Sequence, residues 1–364
     1  MTNKLYLPGL NGLRAIAASA VIFSHIGLHL DMFGLIKKGG FDLGSFGVTI
    51  FFTLSGFLIT FLLLNEKQQK KDIDIKKFYV RRILRIWPLY FTYLLIALFY
   101  IHFNINSDIW YYIFIVPNIP FAINAAAGGV LYIPFVGHYW SLGVEEQFYA
   151  FWPWVIKKIK SLKWFLLLFI ITFFLLKITL SISNTLRTFQ VFLHYTRFGC
   201  LAIGGFGAYF FYKKNEIIKF LNHVIFEILA WSLIILIAFK KFHLFSILDH
   251  EIVSFVTLIL IYNQINNPKK IISLENDFFD YLGKISFGMY IYNPLVIAIV
   301  ASFLKKLNYI DGTAYMILIY SIVFASVILI SHISYNGFEK RFLKLKSNYT
   351  TVHSAASKSE SGRL

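Results

Sequence analysis

Two ionisable residues lie in the first long apolar segment of the sequence, LNGLRAIAASAVIFSHIGLHL (positions 10–30), and both could take part in chemistry. Arg14 and His25 are eleven residues apart, which in an α-helix is three turns plus about 20°, so both project from one face about 16 Å apart along the axis. Arginine at the centre of a membrane helix costs roughly 2.5–3.5 kcal/mol on insertion scales. Either Arg14 is an orientation anchor and His25 a hydrogen-bonded bundle residue, or the pair marks a functional site.

A second candidate is the arginine run in FYVRRILRIWPLYF (positions 78–91). Arg82 and Arg85 are three residues apart and therefore share a helix face. Basic residues often precede a membrane span, so an orientation signal is one interpretation. The other is a clamp for a phosphate-bearing ligand, because the planar guanidinium fork suits phosphate oxygens.

The third candidate is Glu145, in GHYWSLGVEEQFYAFWPW (positions 137–154). We interpret His138 and its two aromatic neighbours as interfacial, and Glu145 then lies about 10 Å deeper in the membrane. Ser141 and Tyr149 share its face by their four-residue spacing. A carboxylate at this depth indicates a functional site. The alternative is a protonated or hydrogen-bonded structural residue.

Depth relates the three candidates to one another. His25 is about five residues from the outer end of its segment and Glu145 about seven from the outer end of its own, which predicts similar depths. Arg82 and Arg85 would lie at the opposite, cytoplasmic mouth. This arrangement favours a long anionic donor that enters from the cytoplasm and reaches His25 with its reactive end.

The elements that must position these residues are membrane helices. Of 364 residues, 58% are hydrophobic and only 15% are charged, against about 25% charged in an average soluble domain. The net charge of +17 could suggest nucleic acid, but the basic residues fall in short clusters between apolar runs, which is typical of membrane orientation signals. The single cysteine, Cys200, excludes an intrachain disulfide and a thiolate metal cluster, and we expect no metal.

About 20 apolar residues are needed to cross a bilayer, and ten segments approach this length. The sequence therefore predicts an all-α fold, a polytopic transmembrane helix bundle of about ten spans. They are placed at roughly 10–30, 44–64, 84–102, 138–156, 164–182, 189–212, 221–239, 249–266, 285–304 and 313–336.

The distribution of basic residues predicts that both termini are cytoplasmic. With that orientation, 26 of the 35 Lys and Arg residues fall in segments assigned to the inside and seven in outer loops, as the positive-inside rule requires. We predict a transmembrane domain over residues 1–346 and a polar, disordered C-terminal tail over residues 347–364, which is rich in serine.

Over nearly its whole length the sequence resembles the acyltransferase family 3 membrane proteins. The resemblance depends on the Arg14–His25 spacing, the paired Arg82 and Arg85, and four further segments. These are FFTLSGFLIT (51–60), WSLGVEEQFY (140–149), LGKISFGMYIYNPLV (282–296) and GFEKRF (337–342). One departure is that Asn293, where many members have histidine, precedes Pro294, so a role of that histidine is not transferred.

The resemblance implies an enzyme of the bacterial inner membrane. It would transfer an acyl group, expected to be acetyl, from cytoplasmic acyl-CoA to a hydroxyl of a lipid-linked or exported glycan such as O-antigen or exopolysaccharide. Arg82, Arg85 and Arg14 would bind the CoA phosphates. His25 would act as general base or carry the acyl group itself, and Glu145 would orient the imidazole.

The alternative from another class is a flippase or transporter that moves a polysaccharide without covalent chemistry. It predicts a polar stripe across the membrane or half-helices meeting at mid-depth, and neither pattern is present in the sequence. A glycan polymerase is a further alternative, but loop 103–137 contains no Lys or Arg. Expected partners are acyl-CoA, the glycan acceptor and membrane lipid, but no nucleic acid; the oligomeric state is left open.

Overall fold

The computed structural model describes residues 5–36, 43–102, 108–127, 133–182, 186–239, 248–305, 312–350, 352 and 354–355, and these are mostly helical. The predicted all-α class is confirmed. The α-helices of the described ranges are α1 Leu10–Leu28, α2 Leu43–Lys70, α3 Ile75–Tyr100, α4 Ile109–Ile113, α5 Asn118–Ala127, α6 Trp140–Lys158, α7 Leu162–Ser181, α8 Arg187–Thr196, α9 Phe198–Tyr212, α10 Ile217–Leu221, α11 Val224–Ala238, α12 Asp249–Asn266, α13 Asp277–Leu304, α14 Thr313–Ser334 and α15 Lys340–Ser347.

Six helical segments of the described chain are long and apolar enough to cross a membrane, so the predicted count of ten spans is not confirmed. They are Leu10–Leu28, Leu43–Lys70, Ile75–Tyr100, Leu162–Ser181, Asp277–Leu304 and Thr313–Ser347. The last combines α14 and α15 through a π-helical turn at Tyr335–Glu339. The chain is thus a multi-pass membrane protein by length and composition of its helices.

The remaining predicted spans are helical but shorter or more polar than a full span. The segment predicted at 189–212 is two helices, α8 and α9, because Arg197 between them has a left-handed backbone with φ of +44°. Helix α11 has 15 residues, short of the about 20 needed. Helix α12 begins with Asp249, His250 and Glu251, and α6 carries Glu145 and Glu146.

Helix α2 lies at the centre of the bundle, packed against α1, α9 and α12. The backbones of α2 and α9 approach closely at one glycine of each helix, Gly56 on α2 and Gly204 on α9. A Cβ atom on Gly56 would lie 1.9 Å from the Leu201 carbonyl oxygen, and one on Gly204 would lie 2.1 Å from that of Thr53. Small residues at such crossings let membrane helices approach closely.

We expect Gly56→Ala to destabilise the protein by about 1–3 kcal/mol, because the added methyl group overlaps backbone atoms that cannot move independently. The measurement is the midpoint of thermal unfolding of the purified protein in detergent. Gly337→Ala is the matched control, because a Cβ atom at Gly337 would meet nothing within 4 Å. Equal midpoints for the two variants would contradict the close approach of α2 and α9.

Segments near the two ends of the chain meet in a short parallel β pairing. Strand β1 (Leu5–Tyr6) pairs with strand β2 (Ser354–Ala355). Residues near both termini therefore lie on one end of the bundle, although the side of the membrane on which they lie stays a prediction. Of the predicted disordered tail, residues 351, 353 and 356–364 lie outside the described residues.

Candidate active site

Helix α1 carries the first two candidate residues on one unbroken segment, as predicted. Arg14 lies in its second turn and His25 in its last turn, and both side chains are half-buried. The predicted distance between them, about 16 Å along one face, therefore applies to the folded chain.

The imidazole of His25 faces the bundle interior and pairs with Asn293 of α13. His25 Nδ1 lies 2.5 Å from Asn293 Oδ1. The amide nitrogen of Asn293 donates to the carbonyl oxygens of Tyr290 at 2.6 Å and Met289 at 3.3 Å, so its oxygen must face the ring. Nδ1 therefore carries the proton in this hydrogen bond, and Nε2 is the nitrogen left to accept one in the neutral ring.

A second histidine, His138, lies beside His25 with the two ring centroids 6.3 Å apart. Its side chain is only 6% exposed, so the interpretation of His138 as an interfacial residue is wrong. Neither ring nitrogen makes a hydrogen bond with the described residues; the backbone of Ile291 is close but outside hydrogen-bonding geometry. A buried imidazole without partners is costly, so these two nitrogens are suited to hydrogen-bond a bound substrate.

The backbone of His138 is fixed by two hydroxyl groups. The hydroxyls of Tyr290 and Ser141 lie 2.7 Å and 3.3 Å from the His138 carbonyl oxygen, and 2.6 Å from each other. Tyr290 comes from α13, which also carries Asn293. One helix thus positions both imidazoles. We call His25, Asn293 and His138, with Ser141 and Tyr290, the histidine cluster.

The start of α3 fixes the arginine run. The Asp74 side chain accepts a hydrogen bond from the Lys77 N–H at 3.0 Å and caps the helix, and this bond lowers the pKa of Asp74 below its usual value. Arg81 forms an ion pair with the buried Glu66 at 3.0 Å. One arginine of the run is therefore neutralised by the protein itself.

Arg82 and Arg85 differ from Arg81 because neither lies within 4.0 Å of a described carboxylate. The Arg82 guanidinium lies over the Tyr149 ring at 5.4 Å, and its Nε is buried without a partner in the described structure. Arg14 and Arg85 lie close enough for their charges to interact. The three arginines thus lie near one another in the structure, and their role in binding stays a prediction.

A fourth cation of this group, Lys346 of α15, was not predicted from the sequence. Its charge interacts with those of Arg14, Arg82 and Arg85, and α15 packs against α3. Arg81 tethers the end of this segment by donating to the Tyr349 carbonyl oxygen at 2.9 Å. We call Arg14, Arg82, Arg85 and Lys346 the arginine cluster.

Three carboxylates lie near the arginine cluster, and Glu145 is one of them. Glu145 interacts with Arg82 and with the hydroxyls of Tyr149 and Ser55; the other two are Glu146 and Glu339. The four cations of the arginine cluster thus outnumber the three carboxylates near it, and none of the four forms an ion pair with a described carboxylate. An excess of half-buried positive charge is stabilised by an anion nearby, so this cluster is suited to bind one.

The position of Glu145 differs from the predicted one. Because His138 rather than Glu145 lies at the level of His25, and because Glu145 is seven residues further along the chain, Glu145 lies about 10 Å deeper. It falls one helical turn from Tyr149, which contacts the arginine cluster. The residue that holds the His25 ring is Asn293, not Glu145.

The two clusters lie towards opposite ends of the bundle. Arg14 is near the start of α1 and His25 near its end. Helix α2 runs antiparallel to α1, since Gly44 lies beside Ser24 and Gly47 beside Ala17; this places Ser55 at the level of Arg14. The arrangement can bind an anion at one end and accept a proton at His25 Nε2 near the other.

Comparison with known proteins gives this geometry a context. The sequence profile of the acyltransferase domain family matches residues 7–335. The chain is 30% identical to a Staphylococcus aureus (strain COL) protein whose assignment as an O-acetyltransferase is provisional, over 93% of this chain and 58% of that protein. No solved structure matches significantly.

Two named relatives match over shorter segments. The peptidoglycan O-acetyltransferase OatA of Listeria monocytogenes is 34% identical over 42% of this chain and 24% of its own length. The O-acetyltransferase OatA of Staphylococcus aureus (strain NCTC 8325) is 34% identical over 43% of this chain and 26% of its own length. The chain thus spans between a quarter and three fifths of the length of these relatives.

Proposed function

The chain belongs to the acyltransferase domain family, and from this premise we propose that it is a membrane O-acyltransferase that moves an acetyl group from acetyl-CoA to a glycan hydroxyl. The observation that supports this most directly is the hydrogen bond from His25 to Asn293 of α13. His25 lies on α1, the helix that also carries Arg14. The hydrogen bond leaves Nε2 free to accept a proton, while the arginine cluster offers unpaired cations for the donor. Acyl transfer needs both parts.

The donor would bind with its phosphates in the arginine cluster. Acetyl-CoA carries several phosphate oxygens at one end and the thioester at the end of a long flexible arm. Arg82 and Arg85 are suited to phosphate because each guanidinium can donate two parallel hydrogen bonds. The arm would follow α1 from Arg14 towards His25, over the about 16 Å that separates them.

The transfer step uses His25 as general base. Nε2 takes the proton of the acceptor hydroxyl while the oxygen attacks the thioester carbon, so that the new C–O bond forms and the C–S bond breaks. The imidazolium then gives the proton to the departing thiolate, which leaves as CoA thiol. Such proton transfer by a positioned side chain contributes about 10²–10⁴-fold. Asn293 keeps Nδ1 protonated and the ring oriented throughout.

His138 is the group best placed to assist this step. Its buried ring nitrogens have no partner in the described structure, and its ring lies 6.3 Å from that of His25. A substrate oxygen between the two rings can contact both. The neutral His138 ring would donate its N–H to the thioester oxygen, on which negative charge develops. Glu145, one turn from the arginine cluster, would help to position the donor arm.

The acceptor would approach from the end of the bundle that carries the histidine cluster. With the predicted orientation this is the outer face of the bacterial inner membrane. The Listeria relative is named as a peptidoglycan O-acetyltransferase, which supports a cell-wall glycan as acceptor, in preference to the O-antigen or exopolysaccharide expected from the sequence. Membrane lipid surrounds the bundle.

The test is acetyl transfer by the purified protein in lipid nanodiscs, with isotope-labelled acetyl-CoA and a soluble aminosugar oligosaccharide. We expect the label to appear as an ester on the oligosaccharide, found by mass spectrometry, with one CoA thiol released per ester. Translocation of glycan without label transfer would instead indicate a transporter and would overturn the proposal.

We expect the double variant Arg82→Gln, Arg85→Gln to weaken acetyl-CoA binding about 100-fold, because hydrogen bonds to charged groups contribute about 1.5–3 kcal/mol each. Titration calorimetry measures the affinity. Arg341→Gln is the control, since Arg341 is exposed on α15. Unchanged affinity in the double variant would remove the arginine cluster as donor site.

Asn293→Leu should lower kcat about 10²-fold and leave the KM for acetyl-CoA unchanged, because a ring that is no longer held can turn away from the reacting atoms. Asn293→Asp keeps an acceptor for Nδ1–H and should recover most of the activity. Steady-state kinetics of both variants are the measurement. If Asn293→Leu and Asn293→Asp have the same kcat, Asn293 has only a packing role.

A further inference from the structure

A cavity outside the site described above lies between α5, α7 and α8. Its volume is about 240 Å³, which is below the roughly 300–1,000 Å³ of sites for drug-sized ligands and suits one sugar unit. Its polar lining comes from Lys177, Arg187, Gln190, His194 and Tyr195. None of the described residues that line it carries a carboxylate.

The cavity lies on the same end of the bundle as His25. His194, which lines it, accepts a hydrogen bond through its carbonyl oxygen from Arg197, and Arg197 donates to the carbonyl oxygen of Ser45 at 2.9 Å. Ser45 follows Gly44, which lies beside Ser24 on α1. The cavity is therefore near the level of the candidate base, and distant from the arginine cluster.

An aromatic contact joins the cavity to the histidine cluster. The ring of Tyr195 lies 5.3 Å from that of Trp140, and Trp140 is two residues from His138 in the chain. Ser141, the next residue, is part of the histidine cluster. The cavity and the histidine cluster are therefore neighbours, with the side chains of Tyr195 and Trp140 between them.

The charge of the cavity favours an anion. Lys177 pairs with Glu251 and is neutralised. Arg187, in contrast, is exposed and forms no ion pair with a described carboxylate. It lies in the first turn of α8, where the positive end of the helix dipole adds to its charge. Gln190 and Tyr195 can hydrogen-bond sugar hydroxyls.

We propose that this cavity is a second acceptor subsite, which binds a carboxylate-bearing sugar next to the sugar that is acylated. The inference rests on the proposed function, because it names the chemical class of the acceptor. Arg187 binds the carboxylate, and the sugar ring occupies the cavity between α5 and α8.

The experiment compares one aminosugar oligosaccharide with free carboxylates and the same oligosaccharide as its methyl ester, each with acetyl-CoA and protein in neutral-lipid nanodiscs. Wild-type protein should show a KM about five- to tenfold lower for the free acid, as expected for a charge-assisted contact that is partly exposed. Arg187→Gln should remove this preference by raising the KM for the free acid to that for the ester. The control Arg341→Gln should retain it.

A second variant tests the cavity without a change of charge. Ala125→Trp fills the cavity from α5 and should raise the KM for both oligosaccharides. Equal KM values of wild-type protein for acid and ester would overturn the proposal. So would a preference that Arg187→Gln retains, or an Arg187 effect found only in anionic lipid, which would identify a lipid headgroup as the occupant.

Failure of the proposed function is distinguishable from failure of the subsite. If wild-type protein transfers no acetyl group to either oligosaccharide, the proposed function fails while the cavity is still tested by calorimetric titration of the free acid. Arg187-dependent binding there supports the subsite, and equal binding by wild type and Arg187→Gln overturns it.

Discussion

His25→Gln should lower kcat for acetyl transfer by about 10³-fold or more, within the range that a positioned general base contributes. Glutamine has a similar size and can still pair with Asn293, but it has no nitrogen that accepts a proton at neutral pH. Binding of acetyl-CoA should not change, because the arginine cluster lies towards the other end of α1. The measurements are single-turnover label transfer and calorimetric affinity for acetyl-CoA.

The control for this variant is His332→Gln, since His332 is exposed on α14 and takes no part in either cluster. It should transfer acetyl groups at the wild-type rate. Full activity of the His25→Gln protein, with a wild-type unfolding midpoint in both variants, would remove His25 from the mechanism. A parallel loss of stability and acetyl-CoA affinity in His25→Gln would assign a structural role instead.

His138→Phe should lower kcat by about 10²–10³-fold, the range found when one donor to a developing oxyanion is removed. Phenylalanine keeps the aromatic contacts with Tyr93, Tyr139 and Tyr290 and removes both ring nitrogens. Because those nitrogens have no partner in the described structure, the substitution leaves no protein group unsatisfied. The folded state should therefore be as stable as wild type or more so.

Steady-state kinetics separate a catalytic role of His138 from a packing role. A catalytic role lowers kcat without raising the KM for acetyl-CoA, and His138→Gln, which keeps a donor, should recover part of the loss. His223→Phe is the control for kcat, because His223 is exposed at the N-cap of α11, where its side chain accepts a hydrogen bond from the Ile225 N–H at 3.4 Å. Wild-type kcat in His138→Phe would contradict the assignment of this ring to the reacting atoms.

The sequence predicts the local parts of the site because they depend on short-range periodicity. The helical spacing of Arg14 and His25 and the shared face of Arg82 and Arg85 need only the geometry of one helix. Lys346 could not be found this way, since its approach to Arg82 depends on how α15 packs against α3. Such contacts between distant segments leave no periodic signal.

The burial of His138 and the contact of Asn293 with His25 were not predicted either. His138 is buried although it precedes a span, because Tyr93, Tyr139 and Tyr290 surround it. Asn293 was noted only as a departure from the family pattern, yet its amide holds the His25 ring. A polar residue directly before Pro294 in an apolar helix was the signal that pointed to it.

The predicted count of ten spans is not confirmed, because it was based on hydropathy alone. Residues 189–212 are apolar enough to be taken as one segment, but the left-handed backbone at Arg197 divides them. Arginine rarely adopts this conformation, and here four hydrogen bonds, to Ser45, Thr49 and His194, hold its side chain. This helix break occurs without a proline, and at an arginine rather than a glycine, so no signal in the sequence predicts it.

One continuous helix, α1, carries both Arg14 of the arginine cluster and His25, the proposed base. The separation of Arg14 and His25 is then set by the rise of about 1.5 Å per residue and cannot adjust to the donor. The helix therefore fixes the distance between the phosphates of a bound donor and the base. Thioesters on shorter carriers, or on carriers without the charged head, would hold their carbonyl short of the imidazole, so length as well as charge would decide which donors react.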